Sequence, residues 1–213
     1  MRKYFFLMLI VLMFSTQVVA DVKSQSSKSG FKELEPSMEL IKQLRKGGYV
    51  LYMRHSLTDT SKPDQVPLDL NDCSKQRPLS EVGEKLAEAI GVSIRRAGIP
   101  VGEVLASPMC RAKGTAKLAF GEGKYQLDEM LMYTSHLTKK QKVPRVKRTT
   151  ELVSTPVTDG RNKVLVAHAP NMYDLMGYFP KYEGTVVVFR PVEGGSYEYL
   201  GSIKPQDWLW LLN

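Results

Sequence analysis

Hydrophobic and polar positions along this chain predict a succession of strands and helices. Met38, Ile41 and Leu44 recur at helical spacing behind Ser37, a good helix N-cap, and Gly47-Gly48 ends the segment. Tyr49–Met53 is short and nearly all apolar, as suits a strand buried on both faces. A long polar loop follows from His55 to Leu79. Ser80 then caps a helix with Val82, Leu86, Ile90, Ile94 and Ala97 as its apolar stripe, closed by Gly98. Val104–Ala106 predicts a second strand, and Pro108 stands where the next helix begins. Tyr125–Leu127 predicts a short third strand, Val164–Ala167 a strong buried one, and Asn171–Gly177 a short helix. Val186–Phe189 and Tyr197–Ile203 flank the Gly194-Gly195 turn as a strand pair. This order predicts an α/β domain, a three-layer sandwich with a mostly parallel central sheet and helices on both faces. The chain shows no internal repeat.

The N-terminus follows a different pattern. Met1-Arg2-Lys3 precedes an apolar run, Tyr4–Phe14, and the small residues Val18 and Ala20 stand at −3 and −1 of a cleavage point. This is the pattern of a secretory signal cleaved after Ala20, and the run is short for a membrane span of ~20 residues. The expected organisation is a signal peptide at 1–20, a polar, Ser-rich flexible lead at 21–36 and a folded domain at 37–213. The expected location is periplasmic or secreted.

Composition narrows the chemistry. The 213 residues carry a formal charge of +8, which favours anionic partners. Six of the ten residues from Lys139 to Arg148 are basic. That run reads as a solvated face or loop, in which Pro144 argues against a continuous helix. It also offers peripheral contact with anionic envelope lipids, whereas export argues against nucleic acid. There are only three histidines and two cysteines, with no His-x-x-x-His or Cys-x-x-Cys spacing. No metal and no cofactor are therefore expected. Nothing in the pattern specifies an oligomer.

His55 directly follows the first predicted strand, and His168 directly follows the Val164–Ala167 strand. Ligands of open α/β sheets bind at the carboxyl ends of strands. Arg54 adjoins His55, and Arg111 lies past the end of the Val104–Ala106 strand. Two histidines and two arginines on one rim suit a phosphate, because guanidinium groups bind its oxygens and imidazole can carry the phosphoryl group. His136, in a polar stretch, reads as a surface residue.

Three segments then carry a resemblance. Leu51-Tyr52-Met53-Arg54-His55-Ser56-Leu57-Thr58 resembles the Arg-His-Gly-x-Thr signature of the histidine phosphatase superfamily, the phosphoglycerate mutase-like proteins. Ser107-Pro108-x-x-Arg111-Ala112-x-x-Thr115-Ala116 is similar to its second motif, and Val164–His168-x-Pro170-Asn171 to its third. The segment Asp72–Gly83 resembles the secreted bacterial members, which also place a cysteine just before the second arginine, here Cys110. The resemblance implies that His55 is the phosphate-accepting nucleophile. Arg54, Arg111 and His168 would bind the phosphoryl group, and Thr58 would shape the phosphate loop. Ser56 replaces the family's glycine and could donate a hydrogen bond to phosphate. Ala169 stands where glycine is frequent. The proton donor is sought among Asp128 and Glu129, with Asp59 and Asp72 as lesser candidates.

Cys73 and Cys110 are expected to bridge, since export favours oxidation. The expected function is that of an exported, metal-independent phosphatase acting on a small phosphomonoester through phosphohistidine at His55. The alternatives are a non-catalytic phosphate- or anion-binding domain, and a phosphatase of envelope glycolipid phosphates.

Overall fold

The computed structural model describes residues 30–212. The expected signal peptide lies outside them. The elements in chain order are α1 (Met38–Leu44), β1 (Val50–Arg54), α2 (Glu81–Arg96), β2 (Val101–Ala106), α3 (Cys110–Phe120), β3 (Gln126–Leu127), α4 (Lys139–Ser154), β4 (Asn162–Ala167), α5 (Ala169–Met176), β5 (Val186–Val192), β6 (Ser196–Ile203) and α6 (Trp208–Leu211). The strands form one sheet in the order β3-β2-β4-β1-β5-β6. β1, β2, β3 and β4 pair in parallel, and β5 is antiparallel to both β1 and β6. The mostly parallel sheet expected from the apolar runs is therefore present, with the β5–β6 hairpin on one edge.

Alternate side chains of the central strands enter two separate cores. Leu51, Met53, Val104, Ala106, Val164 and Val166 meet α1, α2, α3 and α6 on one face. Val50, Tyr52, Leu105, Leu165 and Ala167 meet Leu152 and Val153 of α4 and Met172 of α5 on the other. The period-two alternation of a strand sends neighbouring residues to opposite faces, so an all-apolar strand needs both layers.

Three details differ from the sequence expectation. The basic run is not a loop. α4 continues through Pro144, which is exposed on the solvent face. Proline there removes one helical hydrogen bond and crowds the preceding turn. A capping box between Thr138 and Gln141 secures the first turn, and burial of Thr149, Leu152 and Val153 anchors the other end. Lys139, Lys140 and Lys147 stay solvated.

In α2 the expected stripe is buried at Ile90, Ile94 and Ala97, and Leu86 packs against it, but its first member is not. Val82 is 65% exposed, and the buried face is Gly83, Ala87, Ile90, Gly91 and Ile94. Glycine carries no apolar weight in a pattern, yet it permits the closest backbone approach. A Cβ on Gly91 would lie 2.1 Å from the Ala119 carbonyl oxygen of α3.

Residues 31–36, part of the polar lead, pack against the sheet edge. Phe31 stacks on Tyr178 with ring centroids 4.6 Å apart, and the Ser202 amide donates to the Leu34 carbonyl at 3.0 Å. Glu33 and Glu35 hold Lys204. An aromatic ring and two carboxylates at the end of a polar stretch supply the contacts.

The α2–α3 crossing at Gly91 yields an expectation opposite to helix propensity. Gly91→Ala should destabilise the protein by about 3 kcal/mol, although alanine favours an isolated helix. Urea unfolding of the two forms checks this.

Candidate active site

The carboxyl ends of β1, β2 and β4 meet at one point of the sheet. The His55 amide donates to the Ala167 carbonyl and the Ser107 amide to the Val166 carbonyl, both at 2.9 Å, so the ladder extends one residue past each strand. Arg54, His55, Ser107 and His168 are thereby placed by the sheet rather than by free loops. Their ring and guanidinium groups converge. His55 and His168 lie 5.3 Å apart between centroids, and both are buried.

His55 is held in one protonation form. Its Nδ1 lies 2.9 Å from the Ser56 carbonyl oxygen. A carbonyl only accepts, so Nδ1 carries the hydrogen and Nε2 keeps its lone pair. Burial first, and then the positive charge of Arg111, Arg54 and Arg77, hold the imidazole well below its ordinary pKa. His55 is thus a neutral imidazole with a free nitrogen. His168 is held down in the same way, by burial and then by His55 and the arginines. Its Nε2 meets the Ser107 hydroxyl at 2.8 Å.

The arginines are fixed by different means. Arg54 donates from Nη1 to the Pro180 and Lys181 carbonyls, both at 2.8 Å, and from Nη2 to Glu183 at 3.2 Å. Arg111 is completely buried at the start of α3. Its Nη1 donates to both oxygens of Asp64, at 3.0 and 3.1 Å. The Tyr133 ring lies 5.4 Å from its guanidinium carbon.

Arg77 completes the cluster, and its charge acts on His55, His168, Arg54 and Arg111. Sequence reasoning gave it no role, although it sits inside the Asp72–Gly83 segment that carried the resemblance. Its backbone amide donates to Asp64 at 2.9 Å. The Cys73–Cys110 bridge, expected from the sequence, is present and ties the loop that bears Arg77 to the helix that bears Arg111. Gln76 adds a second tie, accepting from the Cys110 amide at 2.9 Å.

Among the described residues, seven buried side-chain nitrogen or oxygen atoms lack a hydrogen-bond partner. Four of these are Arg54 Nε, Arg77 Nε, Arg111 Nε and His168 Nδ1. A buried donor left unpaired costs roughly 1–3 kcal/mol, more when charged. Such a cost concentrated in one cluster marks a place shaped for a ligand with several acceptor oxygens. A tetrahedral oxyanion fits this donor set.

The other predicted residues take different places. The Ser56 hydroxyl donates to the Gly83 carbonyl at 2.6 Å, and its amide to Thr115 Oγ1 at 2.9 Å. It is therefore committed to locking the loop onto α2 and α3, not to holding phosphate. No non-glycine residue among those described has positive φ, so Ser56 and Ala169 stand without left-handed strain. The Thr58 amide and hydroxyl both donate to Glu183.

Asp128 caps a short turn and pairs with Arg148 at 2.9 Å, and Glu129 is exposed. The carboxylates in contact with the cluster are instead Asp64 and Glu183, the latter 3.8 Å from His55 Nδ1. Both lie in irregular segments without a motif, and only tertiary folding reveals them. Asp59 and Asp72 serve local turns.

The sequence matches no protein-family model and no curated protein. Solved structures do match its fold. The protein histidine phosphatase SixA complexed with tungstate is similar over 75% of this chain and 98% of its own, with a TM-score of 0.51 and 15% identity. YhfR of Bacillus stearothermophilus is similar over 72% and 95%, with a TM-score of 0.52 and 16% identity. Phosphoserine phosphatase of Entamoeba histolytica, in complex with 3-phosphoglyceric acid, is similar over 75% and 98%, with a TM-score of 0.51 and 13% identity.

The two depressed histidines have a consequence for stability. Below the ordinary value of 6.5, the unfolded chain takes up protons that the folded site refuses. Stability is therefore complete above that value and falls as the pH drops below it. Melting temperatures between about pH 7 and 5 should fall for the wild type and fall less for His168→Asn. Parallel curves would contradict this assignment. By its similarity to these solved structures, the chain has the fold of the histidine phosphatases, the phosphoglycerate mutase-like architecture.

Proposed function

We propose that this protein is an exported phosphatase that hydrolyses a small phosphomonoester through a phosphohistidine at His55. The observation that carries the reading is the pairing of a neutral His55, its Nε2 free, with three arginines whose buried Nε donors are unpaired. The apolar run Tyr4–Phe14 and the Cys73–Cys110 bridge support export, since such bridges persist in oxidising compartments. Tungstate on SixA, a tetrahedral oxyanion like phosphate, supports the anion chemistry.

In the reaction, His55 Nε2 attacks phosphorus while the ester P–O bond breaks on the opposite side. Arg54, Arg77, Arg111 and His168 stabilise the charge on the equatorial oxygens. The leaving oxygen takes a proton. Water then attacks the phosphohistidine, breaks the P–N bond and releases inorganic phosphate. For the proton donor we assign Asp64 in place of Asp128 and Glu129. Both carboxylates have each oxygen tied, Glu183 to Thr58 and Arg54 and Asp64 to Arg111 and the Arg77 amide, but Asp64 is the more open to solvent, 27% exposed against 14%.

His55→Ala should lower phosphate release by about a thousandfold or more. Rapid quench of the wild type should trap acid-labile, base-stable phosphate on the protein. Equal release by both forms would leave only an anion-binding domain. For the proton donor, Asp64→Asn should slow alkyl phosphates, whose leaving groups need the proton most, far more than Glu129→Gln does. The reverse ranking would return the role to the predicted carboxylate.

A further inference from the structure

Two of the phosphate-binding arginines carry an aromatic ring on one face. Phe179 lies 5.7 Å from the Arg54 guanidinium carbon, and Tyr133 lies 5.4 Å from that of Arg111. Tyr133 also stands edge-on to His168, with centroids 5.5 Å apart and planes at 81°. Both rings therefore border the cluster that would hold the phosphoryl group. A third ring, the exposed His136, lies 5.6 Å from Tyr133 and continues this edge outward.

Phe179 is the telling residue. It is 52% exposed, although it stands between buried Tyr178 and buried Pro180. The segment around it is held in place, because the Pro180 and Lys181 carbonyls accept from Arg54, and Tyr178 stacks on Phe31. A phenyl ring on a fixed segment at the edge of a cationic site keeps an apolar face in water. A single exposed apolar residue is ordinary on a protein surface. An exposed ring paired with a second ring, each on a phosphate-binding arginine, is a more specific arrangement.

We infer that Phe179 and Tyr133 form a binding edge for the alcohol part of the substrate, and that this part is a planar ring, as in an aryl or arylmethyl phosphate. The inference rests on the proposed phosphatase reading and adds the substrate class. With the phosphate on the arginines, the rest of the bound ester stands beside these rings. A flat, polarisable group there gains stacking and edge contacts that a saturated group of the same size does not make as well.

The test compares two ligands of equal size. Benzylphosphonate and cyclohexylmethylphosphonate differ in planarity and carry the same uncleavable anion. Calorimetry on the wild type should show the planar ligand binding about tenfold tighter. Phe179→Leu and Tyr133→Leu should each bring the two affinities closer, while Tyr133→Phe should keep the preference. Equal affinities in the wild type, or a preference that survives both leucine variants, would overturn the inference. Turnover of benzyl phosphate over cyclohexylmethyl phosphate should follow the same ranking. A ring preference in binding with no turnover of either ester would uphold the ring site and sink the phosphatase reading instead.

Discussion

The constraint on which this structure depends is a buried positive charge. Arg111 is fully enclosed, yet a single carboxylate, Asp64, meets its guanidinium, and the Nε donor is unpaired. An enclosed ion with partial compensation is costly. Arg54 and Arg77 add their charge to that of Arg111 at the two histidines. The surroundings answer that concentration. The two histidines stay neutral, Glu183 and Asp64 turn inward, and aromatic faces cover two of the guanidinium groups. The stability forgone at this cluster is what an arriving dianion would restore, so the concentration of charge that packs poorly is the same one that would favour an oxyanion.

The scaffold makes that arrangement affordable. Strands β1, β2 and β4 are buried on both faces, and their hydrogen-bond ladder runs on into His55, Ser107 and the strand end before His168. Ser56 then clamps the turn after β1 to Gly83 and Thr115. Side chains that would repel one another in a mobile loop are held close because the backbone beneath them has no freedom to separate.

Much of this was legible in the sequence, and the reason is local. The apolar runs that became β1, β4 and β5 have no other use than a two-sided core, and the histidines directly follow two of them. Arg111 and the cysteine pair were also readable, since each lies in a short recognisable segment. Asp64, Arg77 and Glu183 were not, because their roles arise from contacts between segments far apart in the chain: Asp64 with Arg111, Glu183 with Thr58. The carboxylates that touch the cluster escaped the sequence reading for the same reason. Asp128 has a local task, a turn cap and an ion pair with Arg148, that no pattern announces. Pro144 misled in the opposite way. Its rule is a local cost, and burial at the far end of α4 outweighs it.

The disulfide joins the arms that bear Arg77 and Arg111. Two like charges brought side by side push their segments apart, and a covalent tie is one of the few constraints that such repulsion cannot loosen. The cysteines thus act less as general reinforcement than as a clasp on the most self-repelling part of the molecule. The same chain kept in a reducing cytosol would lack that clasp, so the geometry of the arginine cluster would be coupled to the redox state of the compartment in which it folds.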